Sequence, residues 1–243
     1  MSYCFVIPNF NHTEYLQPLL QELRKYQLPV IMVNDGSDED ASNYFRQLES
    51  EYTFLTLVHH QQNQGKGGAV QSGLKRAHQD GYDYAIQIDS DGQHCLDDIE
   101  MMLALSKQNP QSVISGMPVY DDSIPRHRYW ARYITHFWVM IETLSLQLKD
   151  TMCGFRVYPL QPCIELMQAT TLGKRMDFDI EILVRLYWRD VPIKFFPTQV
   201  IYPENGVSHF KAFKDNVLIS WMHTRLVFGM LMRSPLLIKK SLS

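Results

Sequence analysis

No stretch of the chain stays apolar for the roughly 20 residues that a membrane-crossing helix needs. The two greasiest windows, 134–148 and 217–238, are broken by His136, Glu142, His223, Arg225 and Arg233 and read as helices with one apolar side. Cysteine is sparse: Cys4, Cys95, Cys153 and Cys163 are scattered, with no C-x-x-C pair. That excludes a dithiol redox motif and a zinc ribbon and fits a reduced, cytoplasmic protein. No basic-then-apolar leader precedes Tyr3. Charge of either sign is also nearly absent in the balance, −3 overall, so nothing draws the whole molecule to nucleic acid, and no nucleic-acid partner is expected. Neither G-x-x-x-x-G-K-[ST] nor a G-x-G-x-x-G after the first apolar run occurs, which removes the P-loop and the dinucleotide fingerprint.

The chain is otherwise ordinary in composition and ordered in pattern. With 243 residues, 45% apolar and 20% charged, it can bury a sizeable core. Its first half alternates strand and helix signals. "YCFVIP" is followed by a helix over 14–26 with Thr13 as its cap. "PVIMVND" leads to a helix opened by the acidic run Asp38–Asp40, "FLTLVHH" to a helix over 65–81 closed by Gly81, and "YAIQI" to a helix over 96–107. This predicts an α/β fold with a mostly parallel central sheet flanked by helices. The second half reads as a strand at 112–119, an aromatic-rich helix over 126–148, "CGFRVYP", a helix near 177–189, the strand "KFFPTQVIY" and a last helix from 211. No repeat or low-complexity linker divides it, so one domain over 1–210 is expected. Its halves are 1–110 and 111–210, with 211–243 as a helical C-terminal elaboration.

In open parallel sheets, ligands bind beyond the carboxyl ends of the strands. Those ends carry "IPNFNH", "NDGS", "NQGKGG" and "DSDGQH", which supply carboxylates, amides, glycines and a lysine. Asp89 and Asp91, one residue apart, are a solvated turn or a metal site, because like charges that close repel unless a cation sits between them. Hard cations such as Mg²⁺ or Mn²⁺ take oxygen ligands, and a diphosphate can complete such a pair. "GKGG" at a helix start is a loop or an anion cradle, with helix-terminal N–H groups and Lys66 facing the anion.

Together "VIPNFN", "VNDGS", "NQGKGGAV", "QIDSDGQH", "DTMCGFRVY" and "FDIEILVR" resemble, in order and rough spacing over residues 3–210, the inverting family 2 glycosyltransferases of GT-A fold. Within that family the likeness is nearest to the dolichyl- or polyprenyl-phosphate sugar synthases. The resemblance implies that 1–110 binds a nucleoside-diphosphate sugar, UDP- or GDP-linked, and that 111–210 shapes the acceptor site. Asp35 then matches the residue that contacts the base, with Pro8 and Asn11 beside it. Lys66 lies near the pyrophosphate, and Asp89 contributes to both donor and metal. Asp89, Asp91 and Gln93 match the metal-binding D-x-D-x-Q. Asp150 matches an acidic active-site position, and Arg156 would face a phosphate. A hydroxyl acceptor would need a base, Asp150 or Asp179, whereas a lipid phosphate would need none.

The chain departs from those synthases where "NGVSHF" puts His209 at a position they often fill with lysine. The C-terminal segment beyond it interleaves Lys211, Lys214, Arg225, Arg233, Lys239 and Lys240 with Trp221, Leu226, Phe228 and Met230. That pattern suits a helix lying in a bilayer interface, or one packed on the sheet. Arg126, Arg128 and Arg132 stand ready for an anionic acceptor. The expectation is a metal-dependent transferase acting on a lipid-linked acceptor, peripheral on the inner face of the cytoplasmic membrane. Two other classes remain: a non-catalytic nucleotide-sugar-binding protein, and a sugar-phosphate nucleotidyltransferase, which would carry a Gly- and Arg-rich loop where "IPNFNH" stands.

Overall fold

The structure, a computed structural model, describes residues 1–119, 126–200 and 211–241, with backbone alone at 126–131, 212 and 241. Seven strands form one sheet in the order β3-β2-β1-β4-β6-β5-β7. The first four are β1 (Tyr3–Asn9), β2 (Val30–Asn34), β3 (Leu55–His59) and β4 (Tyr84–Gln87), followed by β5 (Val113–Val119), β6 (Arg156–Pro159) and β7 (Ile193–Gln199). Among the described residues these strands pair in parallel except for β6, which runs antiparallel between β4 and β5. The sheet is thus mostly parallel, as the alternation of the first half predicts.

β1, β2 and β4 are buried on both faces, which is why they read as continuous apolar runs. Along β1 the pleat sends Tyr3, Phe5 and Ile7 into one core with α1 (Leu16–Leu23), α2 (Glu39–Glu51) and α4 (Ile99–Gln108). Cys4 and Val6 face the other core, with α3 (Lys66–Gln79), α6 (Leu160–Ala169) and α7 (Phe178–Trp188). A third cluster joins α7 to α5 (Arg126–Thr143) and α8 (Ala212–Ser241) through Val139, Ile180, Val184, Met222, Leu226 and Met230.

Several local expectations shift. The first helix starts at Leu16 with no side-chain cap, and Thr13 offers only its carbonyl, to Leu16 N–H at 3.3 Å. Asp38 does cap α2, accepting from Ala41 N–H at 2.9 Å. α5 stops at Thr143, well short of 148, because Leu144 adopts a left-handed backbone at φ 48°. α6 has no counterpart in the pattern reading; Pro162 near its start looks like a breaker but occupies the first turn, where no N–H is needed. "NGVSHF" lies outside the described residues, as do the side chains of Arg126 and Arg128.

Among the described residues no helix is long and apolar enough to cross a membrane. α8 instead carries two apolar faces. Met222, Leu226, Met230 and Leu237 are buried, while Phe213, Val217, Trp221, Phe228, Leu231 and Met232 are exposed, Phe213 to 86% and Trp221 to 60%. At 100° per residue the exposed set forms one stripe opposite the buried one. Tyr133, Ile134 and Phe137 on α5 are exposed as well. The cations divide. Arg225 pairs with Glu181, Arg233 lies over the Trp188 ring, and Lys240 bonds Asp190 and the Tyr187 carbonyl. Among the described residues, only Lys211, Lys214 and Lys239 of the expected six extend into solvent without such a tie to the body.

Candidate active site

The strand order reverses between β1 and β4, and there the two strands part. Pairing ends at Val6 and Gln87; beyond it Pro8 has no N–H to offer and its carbonyl accepts the Ser90 hydroxyl at 3.2 Å. This divergence is the switch point at which parallel sheets bind ligands, in a crevice beyond the carboxyl ends of the strands. β6, being antiparallel, delivers its leading turn, Asp150–Phe155, to the same edge.

At the end of β4, Lys66 Nζ lies 2.8 Å from Asp89 Oδ2 and 3.1 Å from Asp179 Oδ2. Burial alone would discharge this lysine, but the Asp179 and Asp89 carboxylates overcome it and hold the ammonium protonated far above the usual lysine range. Burial likewise opposes charge on Asp89, yet Lys66 and His94 keep its carboxyl well below the usual range. Asp91 is pushed the other way, up, by burial and then by the charge of Asp89. Its Oδ1 accepts the Gln93 N–H at 3.1 Å, tightening the turn. His94 stacks on Phe155 with ring centres 4.8 Å apart, and its Nε2 comes within 3.4 Å of Asp89 Oδ2 without hydrogen-bond alignment.

Asp89 Oδ1 is buried with no hydrogen-bond partner among the described residues. A carboxylate oxygen left so is costly unless a ligand completes it. Among the described residues no three His, Cys, Asp or Glu side chains converge on one point as a self-sufficient metal cage. Two carboxylates with one free oxygen therefore fit a Mg²⁺ or Mn²⁺ ion whose other ligands come from a substrate.

Arg156 does not face the crevice, contrary to the expectation from the motif. It is fully buried and donates to the carbonyls of Thr151 and Asp179, each at 2.8 Å, and to the Tyr158 hydroxyl at 3.0 Å. Its guanidinium sits 3.9 Å from Asp179 Oδ1, backing the carboxylate that holds Lys66. Gln87 reaches the same oxygen at 3.5 Å. Asp150 is engaged on both oxygens: Oδ1 takes the N–H groups of Met152 and Cys153 at 2.9 and 2.8 Å, and Oδ2 takes Arg132 at 2.7 Å.

The "GKGG" glycines are not an open cradle. A side chain on Gly65 would strike the Lys174 carbonyl at 2.6 Å, and one on Gly67 would strike Phe178 at 2.3 Å. Gly68 N–H is already bonded to the Lys174 carbonyl at 2.8 Å. These residues are small because segment 173–178 packs on them. The anion at this helix start is the chain's own Asp35, whose Oδ2 accepts Gly65 N–H at 2.8 Å and whose Oδ1 accepts Gln64 N–H at 2.9 Å. Asn11, at φ 58°, binds the β2 loop through Asp38 N–H at 2.9 Å and Ser37 Oγ at 3.0 Å.

Two residues escape the motif reading. His60 bonds Asp35 Oδ1 at 2.7 Å and Ser72 Oγ at 2.8 Å, joining the ends of β2 and β3 to α3. Gly154 abuts the charged cluster: a Cβ there would lie 2.7 Å from Gln87 Nε2, 2.8 Å from Lys66 Nζ and 3.1 Å from Asp89 Oδ2. The glycine in "DTMCGFR" was the available signal, but only the antiparallel placement of β6 shows what it abuts.

Comparison with known proteins bears on this geometry. The chain is 26% identical over 200 residues to a dolichyl-phosphate beta-glucosyltransferase of Trichomonas vaginalis, covering 74% of this chain and 60% of that protein, so it spans less than two thirds of that relative's length. It is 23% identical over 219 residues to the UDP-N-acetylglucosamine–dolichyl-phosphate N-acetylglucosaminyltransferase of Methanococcus voltae, covering 84% and 87%. Glucosyl-3-phosphoglycerate synthase from Mycobacterium tuberculosis, solved with Mn²⁺, UDP-glucose and phosphoglyceric acid, superposes with a TM-score of 0.64 at 14% identity over 96% of this chain and 79% of that one, which establishes the GT-A fold. The family model for glycosyl transferase family 2 matches residues 4–163, well over half of the chain, and the protein therefore belongs to that family of glycosyltransferases.

Proposed function

We propose that this glycosyltransferase moves a sugar from a uridine- or guanosine-linked nucleoside-diphosphate sugar to a polyprenyl-phosphate or similar lipid-linked acceptor. Catalysis would use Mg²⁺ or Mn²⁺ and take place with the protein peripheral on the inner face of the cytoplasmic membrane. The observation that carries the reading is the buried Lys66 shared by Asp89 and Asp179 at the mouth of the β1/β4 crevice. A divalent cation held by Asp89 and Asp91, with Gln93 beside them, would neutralise charge on the departing diphosphate. Lys66, kept charged by its two carboxylates, supplies a fixed cation next to the same leaving group and needs little reorganisation to do so. Asp35, set by His60 and by two backbone N–H groups, keeps lone-pair capacity on Oδ2 for a donor on the base, with Pro8 and Asn11 shaping the wall of that subsite.

The engagement of the two candidate bases supports an acceptor that needs neither. Asp179 is clamped between Lys66 and Arg156, and Asp150 by Arg132 and two backbone N–H groups. Their oxygens are thus already engaged by cations and N–H donors of the chain itself. An acceptor that arrives already ionised, as a phosphate does, requires no base. Two relatives named for dolichyl-phosphate transfer point to the same chemistry, and the exposed apolar stripe of α8 offers a surface on which a lipid substrate could be met.

The test is incubation of the purified protein with radiolabelled UDP- and GDP-sugars, Mn²⁺ and short-chain polyprenyl phosphate, followed by solvent extraction. Label in the organic phase that disappears with EDTA is the expected result. Label that stays aqueous with every donor, together with calorimetric binding of nucleotide, would turn the reading to a binding protein or to a different acceptor.

A further inference from the structure

Residues Gly173–Arg175 lie between the candidate donor loop and the C-terminal helix and are bonded on both sides. Toward α3, the Lys174 carbonyl accepts Gly68 N–H at 2.8 Å, the Gly173 carbonyl accepts Gln71 Nε2 at 2.8 Å, and Lys174 Nζ donates to Gln64 Oε1 at 3.1 Å. The Arg175 stem covers Gly65, where a Cβ would come within 2.8 Å of its Cγ. Toward α8, Arg175 Nε donates to Asp215 Oδ1 at 2.6 Å and its NH2 to Oδ2 at 3.3 Å. Gly173 N–H donates to Glu181 Oε2 at 2.7 Å, and Arg225 of α8 meets that same oxygen at 3.3 Å. Asp215 is fully buried although it stands beside the exposed Phe213 and Val217.

A two-nitrogen guanidinium–carboxylate bond of this kind fixes direction as well as distance. It joins residues 40 positions apart. The far side of the segment it anchors sets Gln64, Gly65 and Gly68, the residues whose backbone holds Asp35 and starts the helix bearing Lys66. Neither Arg175 nor Asp215 hydrogen-bonds or ion-pairs with Lys66, Asp89 or Asp179, so the bonds of the pair reach the site through the loop, and the Arg175 charge is also felt at Asp35.

We infer that Gly173–Arg175 is a strap through which α8 positions the donor loop, with Arg175 and Asp215 as positioning residues for nucleotide binding. The inference rests on the donor site proposed above. A helix that meets the membrane through one face would thereby have a rigid connection to the nucleotide end of the crevice.

The experiment compares wild type, Asp215→Asn, the double variant Arg175→Gln/Asp215→Asn, and Met222→Ala, which loosens α8 from α5 and α7 without touching the strap. Calorimetry measures UDP and GDP affinity with Mn²⁺, and melting is followed in parallel. Asp215→Asn is nearly isosteric and keeps an acceptor for Lys211 N–H, and the double variant replaces the ion pair by two amides without leaving a buried charge. Both should bind the preferred nucleotide roughly fivefold or more weakly, as befits loss of a charge-assisted contact. Met222→Ala should keep wild-type affinity even where its melting temperature falls as far. Wild-type affinity in both strap variants overturns the strap alone. Equal weakening in Met222→Ala at matched stability also overturns it, because general loosening would then suffice. A wild type that binds neither nucleotide overturns the donor-site reading and the strap with it.

Discussion

Replacing Gly154 by alanine puts one methyl group into the charged cluster and nothing else. Its backbone lies outside the left-handed region, so alanine is not strained there. The Cβ would stand 2.7 Å from Gln87 Nε2, 2.8 Å from Lys66 Nζ and 3.1 Å from Asp89 Oδ2. Carbon and nitrogen that are not bonded settle near 3.5 Å, so the ammonium must retreat by roughly 0.7 Å. Lys66 is flexible, and the steric cost of that retreat is small. The cost arises because its bonds to Asp89 and Asp179, at 2.8 and 3.1 Å, cannot both survive it. Loosening one charge-assisted bond costs about 1.5–3 kcal/mol, equivalent to a fall in melting temperature of about 3–12 °C in a domain of this size. The catalytic cost should be larger, because a misplaced fixed charge at a leaving group resembles the loss of an oxyanion donor, about 100- to 1,000-fold in kcat. Gly81→Ala is the control: Gly81 has φ +85° and open space around its Cβ, so alanine costs about 1–2 kcal/mol of strain remote from the crevice. The assay is sugar transfer at 25 °C alongside thermal melting. Gly154→Ala with wild-type kcat, or Gly81→Ala losing as much activity, would refute the claim that Lys66 must sit between its two carboxylates.

Asp89→Asn and Asp91→Asn should each abolish metal-dependent nucleotide binding while leaving the protein folded. Near-wild-type turnover in either, or full activity in excess EDTA, would remove the metal assignment. Three of the four thiols should be silent to DTNB at pH 8. Burial pushes Cys4 and Cys153 up to about 12 and raises Cys163 as well, while Cys95 alone is partly exposed. One fast equivalent in the native protein and four after unfolding is expected, and a second fast thiol would contradict the packing of β1, the Asp150–Phe155 turn or α6. Anionic vesicles should pellet the protein at low salt, and Trp221→Ser/Phe228→Ser should weaken this at least tenfold, since two large apolar side chains leave the interface at about 1.5–3 kcal/mol each. Equal pelleting of wild type and variant would take the stripe out of membrane contact.

The sheet was legible because strands buried on both faces write themselves as apolar runs and their loops as polar ones. β1, β2, β3 and β4 emerge within a residue or two of where the pattern puts them. β6 was legible only as a fragment: four residues sandwiched between β4 and β5 carry no period of their own, and Arg156 within them looks like a surface residue. The buried ends of charged side chains were the blind spot. A sequence shows that Arg225 and Arg233 interrupt an apolar helix; it does not show that Glu181 and the Trp188 ring await them on α7. Pattern alone therefore does not separate charges offered to a membrane surface from charges that the fold uses internally. The exposed aromatic stripe, which charge counting would have ranked second, is the part of α8 left over.

The charges of the crevice also obey an order that no single motif contains. Arg156, Asp179, Lys66 and Asp89 alternate in sign, each within 4 Å of the next, and Asp91 adds one more carboxylate beside Asp89. Two cations thus face three carboxylates. A diphosphate approaching such a site would be repelled by the outer pair before Lys66 could attract it, and the divalent cation proposed at Asp89 and Asp91 would reverse that sign. Behind it the alternation holds the Lys66 ammonium through Asp179 on the side that Arg156 backs, a contact that does not depend on a cation at Asp89 and Asp91. Arg156 backs the site from behind, 3.9 Å from Asp179 Oδ1 and bonded to the Asp179 and Thr151 carbonyls, and removing it would leave a buried carboxylate with one cationic neighbour fewer.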